Sequence, residues 1–204
     1  MNKKIKILKN YLSVNKKRIL ITYIFIFASL IVFLFIDQMT KNLLFNHGSI
    51  KTLDQNFEVS YNGQRFPAES ILNSYTVSPL LGIRSIWHGG ITFAKTRNTT
   101  LIQTISIILF IFILTYGLFL DKHNKIRAIF VGIILAGDLG NMLDRFIFSG
   151  YVKDIFFIPF LNRDGTFNFA DSLIFTGIAL LLIGSLIPEN KIRDLKRHRD
   201  LIIH

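Results

Sequence analysis

The run from Asn98 to Leu120, NTTLIQTISIILFIFILTYGLFL, holds no charged side chain. A helix needs about 20 apolar residues to cross the hydrocarbon core of a bilayer. This run therefore reads as a spanning helix, and it sets how the rest of the chain is read. Ile19 to Ile36 is also free of charge, residues 168–188 carry only Asp171, and residues 128–143 carry only Asp138. Four spans are expected, at about 19–36, 98–120, 126–143 and 168–188, the third being the shortest and most polar. Half of the 204 residues are apolar, and it is their clumping that sets the chain apart from a soluble domain. The expected fold is an all-α polytopic membrane protein, one integral domain over 1–204, with segments 37–97 and 144–167 on one outer face.

The formal net charge of +11 would suit nucleic acid in a soluble protein. Here the basic residues flank the spans instead, and no nucleic-acid partner is expected. Lys3, Lys4, Lys6, Lys9, Lys16, Lys17 and Arg18 precede the first span. Lys122, Lys125 and Arg127 lie between the second and third, and Lys191, Arg193, Lys196, Arg197 and Arg199 follow the fourth. Flanking Lys and Arg mark the cytoplasmic side, so both termini are expected there. Such juxtamembrane clusters also suit anionic lipid. Asp37-Gln38-Met39-Thr40-Lys41 follows the first span where a small-residue cleavage site would mark a removable signal, so that span reads as an anchor. There is no cysteine, which excludes disulfides, thiolate catalysis and Cys-type zinc sites.

The outer segments carry their own signals. Phe57-Glu58-Val59-Ser60-Tyr61 alternates before Asn62-Gly63, as one arm of a hairpin does. Ile83, Ile86, Trp87, Ile91 and Phe93 suggest further short strands or an amphipathic stretch, with Trp87 at the headgroup level. A small sheet resting on the helices is expected. Ile155-Phe156-Phe157-Ile158-Pro159-Phe160 is too apolar for a solvated loop and too short to span. It is expected to dip into the interface or to pack under the first outer segment. Asn162-Arg163-Asp164-Gly165 reads as a turn.

Ionisable groups at a membrane edge are candidate functional sites. Asp154, in Gly150-Tyr151-Val152-Lys153-Asp154, and Asp171, in Asn168-Phe169-Ala170-Asp171-Ser172, both fall at the outer end of a span. Two carboxylates that share one proton can act as acid and base on a peptide bond. Asp171 also suits a helix-capping role, for which Asn168 is the better candidate. Asp138, Asn141 and Arg145 fall at i, i+3 and i+7 and share one helix face; Asp144 adjoins Arg145. For Asp138 a buried network between helices is the plainer reading. Asp37 and Lys41 are spaced for an i, i+4 ion pair, or for contact with a lipid headgroup or substrate. His88 has no second ligand at HExxH spacing, so no metal and no cofactor are expected. A transporter or ion conduit using Asp138, Asp144 and Arg145, and a scaffold with a polar partner face, are the competing readings.

Four motifs in order, Asp37-x-x-Thr40-Lys41, Gly140-Asn141-Met142-Leu143-Asp144-Arg145, Gly150-Tyr151-Val152-Lys153-Asp154 and Phe167-Asn168-Phe169-Ala170-Asp171-Ser172, resemble the signature of the lipoprotein signal peptidases. The resemblance covers about residues 19–188. It implies an aspartic endopeptidase of the bacterial cytoplasmic membrane that removes signal peptides from diacylglyceryl prolipoproteins; membrane lipid is the other partner expected, and a monomer is expected. Asp154 and Asp171 would be its catalytic carboxylates. Asp37, Lys41, Asn141, Asp144, Arg145 and Asn168 would support them or contact substrate. An outer β-cradle is implied as well. The chain departs from the family pattern at His88, where Asn is usual, at Asp138, where a small residue is usual, and at Lys153, where an apolar one is.

Overall fold

A computed structural model describes residues 3–47, 49–53, 56–67, 70–90, 98–120, 125–161 and 165–186. Outside them lie the basic tail, Lys122, the turn at Asn162–Asp164, Ile91 and Phe93, and the expectations placed on them. Five helices are described: α1 (Lys3–Val14), α2 (Lys16–Leu44), α3 (Thr99–Tyr116, continued by a 3-10 turn Gly117–Phe119), α4 (Lys125–Ile147) and α5 (Phe169–Leu186). The last four are long and apolar enough to cross a membrane.

Three of these differ from the bare apolar stretches. α2 runs on past Ile36 to Leu44, so Asp37 and Lys41 are helical. α4 runs to Ile147, so Asp144 and Arg145 are helical too. Charge ended both stretches on paper, but charges that neutralise one another inside the protein let a helix continue. α1 is a helix where only a basic leader was expected. It is amphipathic, with Ile5, Ile7, Leu8 and Val14 exposed. Its Tyr11 hydroxyl donates to the Leu118 carbonyl (3.1 Å), and Arg18 donates to the same oxygen (3.0 Å). Tyr11 thus ties α1, and Arg18 the start of α2, to the 3-10 turn that ends α3.

α4 is the central helix, buried over most of its length between α2 and α5. Small residues let it approach them closely, as is common between helices in lipid. A Cβ at Gly132 would stand 2.4 Å from the Ile26 carbonyl oxygen of α2, and one at Gly177 of α5 would stand 2.5 Å from Ile134. Ile31, Phe35, Ile111, Phe112, Phe175 and Leu182 face outward, which suits contact with acyl chains.

Two antiparallel sheets follow from the outer segments. β1 (Ser49–Leu53), β2 (Asn56–Tyr61) and β3 (Gln64–Pro67) form one. β4 (Ser74–Ser78), β5 (Leu81–His88), β6 (Val152–Phe157) and β7 (Thr166–Phe167) form the other, in that spatial order. Asn62 and Gly63 both have positive φ (49° and 77°), as a two-residue hairpin requires. The apolar run after Asp154 packs against the first outer segment: β6 lies between β5 and β7, with Ile86 paired to Asp154 and Trp87 to Lys153. Trp87 does not sit at a headgroup surface. It is 1 % exposed, in a second core with Phe45, Val59, Tyr151 and Ile155.

The turn from α4 into β6 depends on Gly150. Its N–H donates to the Arg145 carbonyl (2.8 Å), a helix-terminating bond. Its φ is +95°, and a Cβ there would meet Thr99 at 2.5 Å. Only glycine fits.

Candidate active site

β6 and β7 bring the two outermost motifs together. β7 ends at Phe167, paired with Phe156, so the next residue, Asn168, comes up beside Asp154. Asn168 then caps α5. Its Oδ1 accepts from the Asp171 N–H (3.0 Å), and Asp171 Oδ2 accepts from the Asn168 N–H (3.0 Å). This is a reciprocal capping box with Asn and Asp in its two places. Both capping expectations therefore hold, and the cap itself fixes the Asp171 carboxyl.

The amide nitrogen of Asn168 points the other way, into the protein. Its Nδ2 donates to Asp154 Oδ1 (2.9 Å) and to Asn141 Oδ1 (3.1 Å). Asn141 Nδ2 donates to Asp171 Oδ1 (2.8 Å). Asp154 and Asp171 are thus linked through two asparagines, and both line one cavity of about 240 Å³ with His88, Gly90, Asn141 and Arg145. Asp154 is 4 % exposed. Burial, with the nearby Asp171 charge, pushes its carboxyl well above the ordinary carboxylate value. Among the described residues neither carboxylate has a cation within salt-bridge distance. Arg145 lines the cavity, and its guanidinium donates weakly to the Gly90 and Asn141 carbonyls (3.4 and 3.5 Å).

Asp37, Lys41 and Asp144 form a separate, sealed cluster. Lys41 Nζ lies 3.0 Å from Asp37 Oδ2, 3.0 Å from Asp144 Oδ2 and 3.2 Å from Asn141 Oδ1. Its three hydrogens have three acceptors, and Asp37, Lys41 and Asp144 are each fully buried. The expected Asp37–Lys41 pair is present, and both side chains are sealed from solvent. Asp37 Oδ1 accepts from the Ala170 N–H at the start of α5 (2.9 Å). Asp144 Oδ2 accepts from the Lys153 N–H (3.2 Å). Asp144 therefore faces Lys41 and not the side occupied by Arg145.

Lys153 turns away from Asp154, as strand alternation requires. It is 2 % exposed, reaches Asn42 Oδ1 (3.2 Å) and lies 4.3 Å from the Phe148 ring centre. Burial lowers its pKa. Asp138 also lines the cavity; its partner is the Ser106 hydroxyl of α3. Ser106, Asn42 and the Ala170 N–H were not singled out from sequence. A hydroxyl in an apolar helix gives no spacing signal, and the other two depend on contacts across the whole chain.

Known proteins resemble this chain in sequence and fold. The model of the family described as signal peptidase (SPase) II matches residues 29–187. The chain is 31% identical over 189 residues to a lipoprotein signal peptidase of Borrelia hermsii, covering 90% of this chain and all of that one. It is 34% identical over 118 residues to one from Caulobacter vibrioides, covering 54% and 69%. A bacterial membrane enzyme solved by the in meso method at 2.3 Å has a similar fold, with a TM-score of 0.60 at 23% identity over 79% of this chain and 87% of that one. The chain belongs to the signal peptidase II family and is a multi-pass membrane aspartic peptidase.

Proposed function

We propose that this member of the signal peptidase II family cuts its substrate with Asp154 and Asp171, and that the substrate is a bacterial prolipoprotein whose cysteine already carries diacylglycerol. One observation carries the assignment. These two carboxylates open onto the same cavity, joined through Asn168, with no cation paired to either among the described residues. Two carboxylates on one cavity, with the Arg145 guanidinium nearby but paired to neither, cannot both ionise cheaply.

The hydrogen bonds suggest how the shared proton is divided. Both oxygens of Asp171 meet N–H donors, from Asn141 and Asn168, whereas Asp154 receives one. Asp154, with its raised pKa, is the partner that holds the proton. Asp171 takes a proton from water as that water attacks the scissile carbonyl. Asp154 donates its proton to the carbonyl oxygen, which gives a gem-diol; as the diol collapses, Asp154 takes a proton back from its hydroxyl and Asp171 passes the proton it took from water to the leaving amine. Asn141 and Asn168 orient the carboxylates, and Arg145 holds the Gly90 backbone at the mouth. Lys41, Asp37 and Asp144 hold α2, α4 and α5 in register beneath them.

The positive flanks favour cytoplasmic termini, which leaves the sheets on the outer face. The exposed apolar side chains of α1, with lysines on its other face, suit a helix lying on an anionic membrane surface. All the site residues come from one chain, so a monomer suffices. The test is gel-shift cleavage of a diacylglyceryl prolipoprotein by purified enzyme, with Asp154→Asn and Asp171→Asn beside wild type and a chelator control. Both variants should be inserted and inactive. Wild-type rates in either would remove that residue from the chemistry.

A further inference from the structure

We infer that Asp138 and Ser106 form a polar subsite of the same cavity, one helical turn below the catalytic pair, which receives a hydrogen-bond donor from the signal-peptide side of the cut. The inference rests on the catalytic pair proposed above. Asp138 precedes Asn141 by three residues on α4, and Ile174 follows Asp171 by three on α5. Both line the cavity, so it extends about one turn, roughly 5.4 Å, deeper than Asp171. Its other wall is α3, which presents Ile102, Ile105 and Leu109 around Ser106.

A carboxyl in such surroundings needs a reason. Holding helices together explains only part of it. Ser106 hydrogen-bonds the Asp138 carboxyl and so links α3 to α4. Yet Asp138 Oδ2 is buried with no hydrogen-bond partner, and no salt bridge reaches it among the described residues. The close seams of α4 are made by its neighbours: Gly137 against Ala170 and Ile174 of α5, and Gly140 against Asp37 of α2. Asp138 is therefore directed at the cavity and away from both seams. Ser106 meets the carboxyl from α3, and Oδ2 remains for something that enters.

The geometry also limits what enters. An extended peptide advances about 3.3 Å per residue, so a drop of one turn reaches about the second residue from the scissile bond. The signal peptide runs from the cut back into the membrane, which is the direction in which the cavity deepens. The matching group is a donor borne by the second or third residue before the modified cysteine, as the hydroxyl of Ser or Thr or the amide of Asn provides. Alanine there would leave Oδ2 unsatisfied.

The test uses paired synthetic diacylglyceryl-cysteine peptides that differ only by Ser or Ala at the second residue before the cysteine, and a second pair that differs at the third. The readout is the ratio of kcat/KM within each pair on one enzyme, so a general loss of activity cancels. Wild type should favour serine by about tenfold at one of the two positions, the scale of one hydrogen bond to a carboxylate. Asp138→Ala should bring that ratio to about one. Asp138→Asn should keep part of it, because its amide oxygen still accepts. A ratio of one at both positions in wild type, or a preference that Asp138→Ala leaves intact, overturns the subsite. If Asp138→Ala stops turnover, the same ratio is read as peptide Kd in an Asp154→Asn background. There, unequal affinities that become equal on adding Asp138→Ala support the subsite, and affinities that Asp138→Ala leaves in the same ratio refute it. Failure of the catalytic reading looks different: Asp154→Asn would cleave both peptides at the wild-type rate.

Discussion

Asp37 and Asp144 are buried as deeply as Asp154, yet the two places differ in what their charge meets. In the sealed cluster a lysine stands between the carboxylates and satisfies both at 3.0 Å. At the cavity, Asp154 and Asp171 face each other's influence with asparagine amides between them and no cation paired to either among the described residues. The same side chain thus does opposite work a few residues apart. Where charge is neutralised inside the fold, it holds helices together. Where it lines open space with no cation paired to it among the described residues, it is the charge we propose takes part in proton transfer. Separate acid and base environments of this kind mark catalytic pairs more reliably than the mere presence of buried Asp.

The sharpest way to break this contrast is at the cavity. Asp171→Asn should lower cleavage by at least about a thousandfold, within the range for general acid–base groups, and cost at most about 1–3 kcal/mol of stability, because one of the two N–H donors loses its acceptor. Measuring both on one preparation separates chemistry from folding. In the sealed cluster the same experiment should give the reverse emphasis. Lys41→Met leaves two buried carboxylates without their cation and should destabilise the fold by about 3–5 kcal/mol. Trp87, the only Trp and 1 % exposed, gives an intrinsic fluorescence signal for that unfolding. If Lys41→Met unfolds like wild type, the cluster is not a support.

A smaller effect concerns the cost of the site. The folded chain holds the Asp154 proton more tightly than the unfolded chain does. As pH rises above the ordinary value of 3.8, the unfolded chain releases its proton first, and stability falls until the raised folded value is passed. Asp154→Asn carries no such penalty and keeps an acceptor for Asn168. It should raise Tm at pH 7–8 by about 2–4 °C, with the gain disappearing below about pH 4 in a pH series of melts. An equal gain at every pH would mean that the carboxyl is not the source. The smallest effect lies far from either cluster. Lys6→Gln with Lys9→Gln should weaken the hold of α1 on anionic bilayers by about 1 kcal/mol per lysine. A label on an introduced Ile7→Cys, in a chain with no other cysteine, would report this as reduced depth in anionic vesicles and little change in neutral ones.

Much of this was legible in the sequence, because spans and carboxylates both follow local rules. Charge-free runs gave the four helices, and Asn62-Gly63 gave the hairpin. Spacing alone put Asp138, Asn141 and Arg145 on one face and paired Asp37 with Lys41. What sequence could not give were partners distant along the chain. Lys41 meets Asp144 across the α2–α4 seam, and β6 pairs with β5 from the other outer segment. Trp87 looked suited to an interface, but the sheet covers it. α1 was hidden because four lysines within its short apolar pattern read as a topology signal before they read as the polar side of a helix.

The lysine has one more consequence. An ammonium gives hydrogens and can receive none. Set against Asn141 Oδ1, it allows that amide a single orientation, with the nitrogen end toward Asp171. A residue outside the reacting centre therefore decides which way an adjoining dipole points, and so which end of the amide meets Asp171 Oδ1. Turning that amide around would require Lys41 to meet another donor.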